Sequence, residues 1–244
     1  MCYYKKNILI LLLLFLLLSN AAGCIPLEYK THPEFETRSK KIKAPGLIPP
    51  DIKVYEFTAG GVQELRDDWC VQGKSNILSE LIEGFEKKEI QANILFIDED
   101  TNEEMEGILA LYRAVSESIG LHVYGPYVFP EKKSNFDYSI GSIEKILKEY
   151  NADAIIIVYG RDEQSTDGRN SLKVAGIVAS AFIGAYVGPR FDITSVSIAL
   201  VEPSGTILCY CKKKLVGGYS FVDTDSVSRF LEDIISNFPR LGLE

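Results

Sequence analysis

Histidine is scarce in this sequence, and basic residues are in the minority. The 244 residues include two histidines, His32 and His122, which leaves little material for histidine-based catalysis or for a histidine-rich metal site. Asp and Glu number 34 against 26 Lys and Arg, and the net charge is −8. Because nucleic-acid phosphates call for a basic protein face, this charge argues against a nucleic-acid partner.

Motifs of nucleotide, calcium and hydrolase sites are incomplete or missing. Gly73-Lys74-Ser75 imitates the end of a phosphate-binding loop, but Asp68 stands where the loop's first glycine is required. The acidic run 98–102 imitates the start of an EF-hand and lacks its later Gly and Glu. No Gly-x-Ser-x-Gly sequence occurs. We therefore predict no cofactor, no metal and no enzymatic activity, with an enzyme of unknown chemistry as the alternative.

The first 23 residues have the parts of an export signal. Lys5 and Lys6 give a positive start, Ile8–Leu18 is an unbroken apolar run, and small residues precede Cys24. The run is too short to cross a hydrocarbon core of ~30 Å, which takes about 20 residues. A cleaved signal peptide over residues 1–23 is therefore predicted. Its removal takes away two lysines and no acid, so the net charge of −8 becomes −10.

The ending Ala21-Ala22-Gly23-Cys24 resembles a bacterial lipobox. The resemblance implies cleavage before Cys24, a lipid on its thiol and hence the membrane as a partner. Ile25 is not the Asp that retains such lipoproteins in the inner membrane of enteric bacteria, so the outer membrane, facing the periplasm, is expected. An ordinary secretory signal followed by a chance cysteine is the alternative.

Three further cysteines follow, Cys70, Cys209 and Cys211. Cys209 and Cys211 are two residues apart on a predicted strand, so they point to the same face and cannot easily bond to each other. A disulfide from Cys70 to one of them is one interpretation. Three buried apolar thiols are the other.

The remainder divides into a tether and one domain. Residues 24–50 contain five prolines and a basic cluster at Arg38–Lys43, which predicts a Pro-rich tether without regular structure. Residues 51–244 are predicted to form a single α/β domain with two or three layers. Its expected element order is β-α-β-α-α-β-β-β-α, with Ser75 as the N-cap of the first helix.

A mixed sheet of about five strands is expected in this domain. The strands are predicted at Ile52–Thr58, Ala92–Ile97, Ala154–Tyr159, Asp192–Val201 and Thr206–Leu215. Ala154–Tyr159 is a continuous apolar run, which is typical of a strand covered on both faces. Pro203-Ser204-Gly205 lies between the last two strands and predicts a hairpin.

One segment is unusual for a soluble domain. Val174–Val187 has fourteen residues without a charge. Three interpretations stay open: a buried helix, a protein–protein contact surface, and a membrane-inserting element. The residues assigned to this interaction segment are Val174, Gly176, Ala179, Phe182, Gly184 and Val187.

The element order, the lipobox and this segment together resemble envelope lipoproteins whose domain is like the N-terminal domain of the Tol-system periplasmic protein. Relatives in that group include the curli-secretion pore lipoprotein and lipoprotein activators of penicillin-binding proteins. The run 152–157 (Ala-Asp-Ala-Ile-Ile-Ile) and the hairpin of Ser195–Leu200 with Gly205–Tyr210 carry the resemblance. It implies no catalytic residue and does not fix one function.

These observations favour a lipid-anchored, non-enzymatic accessory or assembly factor of bacterial envelope machinery, with an envelope protein as partner. The alternative is a subunit of an oligomeric export complex, in which residues 174–187 contact other protomers or the membrane.

Overall fold

A computed structural model describes residues 27–241, in which eight strands form one open, mixed sheet. The strands are β1 (Glu28–Thr31), β2 (Pro45–Leu47), β3 (Asp51–Phe57), β4 (Gln63–Leu65), β5 (Asn93–Ile94), β6 (Ala154–Ser165), β7 (Ile193–Val201) and β8 (Ile207–Val216). The helices are α1 (Phe35–Arg38), α2 (Asp67–Lys87), α3 (Glu99–His122), α4 (Pro130–Ser134), α5 (Glu144–Glu149), α6 (Asp167–Ile183) and α7 (Thr224–Asn237). The predicted signal peptide and Cys24 lie outside the described residues.

The sheet is ordered β1-β8-β7-β6-β2-β5, and β3 continues along β6 beyond β2 and also pairs with β4. β6 runs parallel to β2 and β3, whereas β6, β7, β8 and β1 are successively antiparallel. The predicted α/β class and mixed sheet are confirmed. The expectation of about five strands is too low, because β1, β2 and β4 have four residues or fewer and too short a pattern to read from the sequence.

Helices cover both faces of the sheet, so the domain has three layers. Ile156 and Val158 on β6 pack into one core, together with residues of α2 and α7. Ile155 and Ile157 face the opposite way and pack with α3 and α5. Successive side chains of a strand point to opposite faces, so the unbroken apolar run of β6 supplies both cores.

The segment predicted as a tether belongs to the fold from Glu28 onward. It contributes β1 at one edge of the sheet and β2 beside β6, and it buries Phe35 and Leu47. Asp153 accepts hydrogen bonds from the backbone N–H groups of Lys43 (2.6 Å) and Ala44 (3.0 Å). The prediction of an unstructured stretch is therefore wrong for this part of residues 24–50. The described prolines are tolerated here because Pro45 opens β2 and the others lie between strands, Pro33 after β1 and Pro49 and Pro50 before β3.

Of two local predictions, a hairpin turn and a helix start, the structure confirms the first and corrects the second. The hairpin between β7 and β8 is confirmed, and Gly205 takes φ +82° in it. A Cβ at this position would overlap the carbonyl oxygen of Gly141. The first helix of the domain begins at Asp67 instead of at Ser75. Gly73 lies within that helix. Its lack of a side chain lets α2 pack closely against Phe221, because a Cβ added at Gly73 would lie 3.1 Å from the Cβ of Phe221.

A single substitution tests whether residues 45–47 are part of the core. Leu47→Ala removes a fully buried side chain and is expected to lower the free energy of unfolding by about 2–5 kcal/mol. Val62→Ala, at an exposed position, is the matched control and should change it by less than about 0.5 kcal/mol. Urea unfolding of both variants measures this, and equal small effects would mean that the segment is a tether after all.

Candidate functional site

The uncharged segment 174–187 forms the second half of α6 and the first residues after it. Capping interactions fix both ends of this helix. Thr166 is the N-cap, with its hydroxyl accepting from the backbone N–H of Arg169, and Asp167 places a negative charge in the first turn. Gly184 ends the helix at φ +78°, and its N–H donates to the carbonyl of Ser180 (2.8 Å). Residues 184–192 then return to the sheet, and we call them the return segment.

The packed face of α6 is polar or small. It consists of Arg169, Lys173 and Gly176, which are buried, with Ser180 half-buried one turn further on. A Cβ at Gly176 would lie 2.5 Å from the carbonyl oxygen of Val187, so the glycine permits the return segment to lie against the helix. The Ser180 hydroxyl donates to the Gly176 carbonyl (2.6 Å) and accepts from the Val187 N–H (3.3 Å).

The other faces of α6 and the return segment are apolar and exposed. Phe182 is 88% exposed and Val178 57%. The further large apolar side chains exposed here are Leu172, Val174, Ile177, Ile183, Tyr186, Val187 and Phe191. A surface helix normally turns its apolar face to the core, and this one does the reverse. The interpretation of residues 174–187 as a buried helix is therefore wrong, whereas a contact surface and a membrane-inserting element both remain.

A charged network connects α6 to the sheet at Lys173, and we call this part of the helix its base. Lys173 forms an ion pair with Asp192 (2.7 Å), which also accepts from the hydroxyl of Ser165 at the end of β6 (2.6 Å). Arg190 binds both carboxylate oxygens of the buried Glu163, at 2.8 and 3.2 Å. Because these partners lie on β6, on α6 and within the return segment, the helix is fixed where it leaves the domain.

Phe57, at the end of β3, adds an aromatic surface to this network. The guanidinium groups of Arg169 and Arg190 lie 5.2 and 4.8 Å from the centre of its ring, within the range of cation–π attraction. Arg169 also donates to the carbonyls of Thr58 and Arg190, both at 3.4 Å. Sequence reasoning missed these residues, although the charges of Lys173 and Arg190 do mark the two limits of the uncharged segment.

Asp162 is fully buried next to this network and joins three parts of the chain. Its carboxylate accepts hydrogen bonds from the Phe221 N–H (2.9 Å), the Thr194 hydroxyl (2.8 Å) and the Gln164 side chain (2.9 Å). Burial raises the pKa of Asp162 above its usual range despite these donors. The residue therefore ties β6 to β7 and to the loop before α7.

The three cysteines of the domain are thiols in the structure. The sulfur of Cys70 on α2 accepts from the N–H of Val54 on β3 (3.2 Å). Cys209 and Cys211 lie on β8, three strand positions from β3, which at ~4.8 Å per strand is about 14 Å. A disulfide needs Cα atoms within about 7 Å, so a bond from Cys70 to either of them does not fit this arrangement. Cys209 and Cys211 are buried, whereas Cys70 is only partly buried. Burial also raises the pKa of the Cys209 thiol, which makes it unreactive.

The remaining sequence candidates lie apart from α6. Asp98 is the N-cap of α3 and accepts from the Thr101 N–H (2.9 Å), as a helix start and not a calcium loop requires. His122 stacks on Phe129 at 4.3 Å. Across residues 27–241 no group of three or more His, Cys, Asp or Glu side chains is placed to hold a metal ion. Nor does that range contain a helix with the length and apolarity to cross a bilayer.

A second apolar surface lies near β5, which is an edge strand of the sheet. A groove of about 660 Å³ runs between α2 and the chain that follows β5, and its lining includes Val71, Lys74 and Leu109. Phe96, in the same lining, is 82% exposed. The uncharged run that contains Phe96 is shorter than that of α6, because it extends only from Ile90 to Ile97 and ends at Asp98.

Comparisons with known proteins add little to this description. No family model matches the chain, and no curated protein sequence matches it. Among solved structures, the PelC dodecamer from Paraburkholderia phytofirmans matches over 84% of this chain and 94% of that chain, with 9% identity and a TM-score of 0.35. At that TM-score the similarity carries no argument about this chain, and the resemblance to the Tol-system and curli-secretion group stays a prediction.

The buried carboxyl group of Asp162 gives stability a defined pH dependence. Because its folded pKa is raised, the folded state binds more protons than the unfolded state just above the usual Asp range, so its contribution to stability falls as pH rises through that window. Asp162→Asn should remove this decline. Asp162→Ala should cost about 1–3 kcal/mol for each buried donor left without an acceptor.

Urea unfolding of wild type and both variants between pH 4 and pH 7 measures these effects. Asp167→Asn, on the exposed first turn of α6, is the control and should leave the pH profile as it is. A wild-type profile that Asp162→Asn does not alter would contradict the assignment.

Proposed function

We propose that this protein is a lipid-anchored, non-enzymatic accessory or assembly factor of bacterial envelope machinery, which acts by contact. The observation that carries the contact function is α6, whose apolar faces are exposed while its polar face is packed. Contiguous exposed apolar surface of this kind is typical of protein or membrane interaction sites. The signal-like residues 1–23 and the lipobox-like Ala21–Cys24 support the envelope as the place of action.

In this proposal the lipid on Cys24 holds the domain at the outer membrane, on its periplasmic side. Ile25 supports the outer membrane, since it is not the Asp that retains lipoproteins in the inner membrane of enteric bacteria. Several acyl chains anchor stably where one does not, because each buried CH₂ contributes ~0.8 kcal/mol. The short chain between Cys24 and β1 keeps the domain close to the membrane surface.

Metabolic labelling with palmitate tests the anchor directly. The Cys24→Ala variant is expected to lose the label completely, because its thiol is the attachment point. Cys70→Ala is the control, because Cys70 is a partly buried cysteine of the folded domain and lies outside the lipobox-like sequence, and it should keep the label. A Cys24→Ala protein that is still labelled would contradict the lipoprotein assignment.

A second candidate function is that of a subunit in an oligomeric export complex, and the same exposed helix favours it. Copies of the chain could cover α6, and Gly176 shows that close backbone approach is already used on this helix. Light scattering of the detergent-solubilised protein separates the two candidates. A monomer is expected for the accessory factor, and a fixed multiple of the monomer mass that Val178→Asp dissociates is expected for the complex.

Recovery of crosslinked partners from intact cells then addresses the machinery itself. Wild type should capture a reproducible envelope protein, whereas a variant with altered α6 should capture it less if the helix makes that contact.

A further inference from the structure

The start of β1 and the base of α6 lie toward the same end of the sheet. α6 follows the last residue of β6, and the return segment leads into Ile193, which pairs with Val216 at the end of β8. β1 is antiparallel to β8 and begins at Glu28, opposite Lys212. Because β8 runs from Lys212 toward Val216, the chain enters β1 from the α6 end of the sheet.

Cys24 is within reach of that end. Lys212 and Val216 are four positions apart on β8, which is about 14 Å of strand. Cys24 precedes Glu28 by four residues, and an extended chain spans at most about 3.5 Å per residue, again about 14 Å. A lipid on Cys24 can thus lie level with the base of α6, so a membrane that holds the lipid meets this end of the domain first.

The dimensions and polarity of α6 match one leaflet. Ten helical residues, Val174–Ile183, rise by about 15 Å, which is half of a hydrocarbon core of ~30 Å. No charge occurs from Val174 to Gly188. Lys173 and Asp192 form the ion pair at the base, at the depth where lipid head groups would lie.

A bilayer also fits the distribution of apolar side chains around the helix. Val174, Val178 and Phe182 follow one another at intervals of four residues, and Leu172 and Ile183 lie on other sides of the helix, yet all are exposed. A flat protein surface covers one face of a helix, whereas lipid surrounds it. Outside its packed face α6 is apolar on every side, and an apolar surface of this width is typical of a buried or membrane environment.

We propose that α6 enters the lipid leaflet that receives the acyl chains of Cys24, and that helix and lipid together orient the domain on the membrane. This inference rests on the lipid anchor proposed above. The backbone of the return segment limits the depth, since unpaired amide groups are costly in hydrocarbon. The Ser180 hydroxyl accepts the Val187 N–H there, and Arg190, half exposed at the base, is placed to meet lipid phosphates.

The test separates α6 from the lipid by using residues 24–244 with Cys24→Ala, which cannot be lipidated. Vesicles of phosphatidylethanolamine and phosphatidylglycerol carrying brominated acyl chains are the probe. In a Trp69→Phe background, which removes the native tryptophan, Phe182→Trp is expected to show a blue-shifted, bromine-quenched emission on vesicle addition. Phe96→Trp in the same background is the matched control, because Phe96 is as exposed as Phe182 but follows the edge strand β5 instead of lying on α6, and its emission should not be quenched.

Phe182→Asp should then lower vesicle flotation at least about tenfold, because a carboxylate is costly in hydrocarbon, while Phe96→Asp leaves it unchanged. Both side chains are exposed, so urea unfolding should show both variants as stable as wild type. Absent quenching at Phe182, or equal loss of flotation in both Asp variants, overturns the inference. So does an α6-dependent oligomer that shields Phe182 from the vesicles. Palmitate labelling reports on the anchor separately, so failure of either proposal is recognised without the other.

Discussion

The burial of β6 on both faces is the constraint from which the rest of the fold follows. Ile155 and Ile157 enter one core, Ile156 and Val158 the other, so helices must cover both sides. The strand continues for another seven residues in which polar side chains replace apolar ones. There Asp162 and Glu163 hold the loop before α7 and Arg190 of the return segment. One strand therefore builds the core with its first half and supports α6 with its second.

The polarity of α6 is inverted relative to that of the other long helices. α7 buries Val227, Phe230, Leu231 and Ile234, as an amphipathic helix should. α6 instead packs Arg169 and Lys173 inward, where each is paired or lies against an aromatic ring. Leaving its apolar side chains in water forgoes roughly 25 cal/mol for each Å² that burial would remove. Contiguous exposed apolar surface of this kind is typical of a site that a protein or membrane contact covers.

Sequence reasoning succeeded where the pattern was long and failed where it was short or ambiguous. The apolar run of β6 and the Pro203–Gly205 turn predicted a doubly covered strand and a hairpin, and both are present. β1 and β2 have four and three residues and depend on distant partners, so no local periodicity revealed them. Composition showed that residues 174–187 are apolar but could not show their surroundings. That depended on Lys173 facing inward, against the usual preference of lysine for solvent.

Because the domain is acidic, any contact that it makes with a membrane depends on its apolar end. Residues 24–244 carry a net charge of −10, and an acidic body gains no attraction from an anionic membrane surface. Attachment must then come from apolar groups, from a covalent lipid, or from both. The uncharged stretch from Val174 to Gly188 and the entry of the chain into β1 lie toward one end of the sheet, so both forces would act on the same side of the domain. In the proposed arrangement, the charged faces of the domain lie in the aqueous compartment and the exposed apolar faces of α6 lie in the lipid.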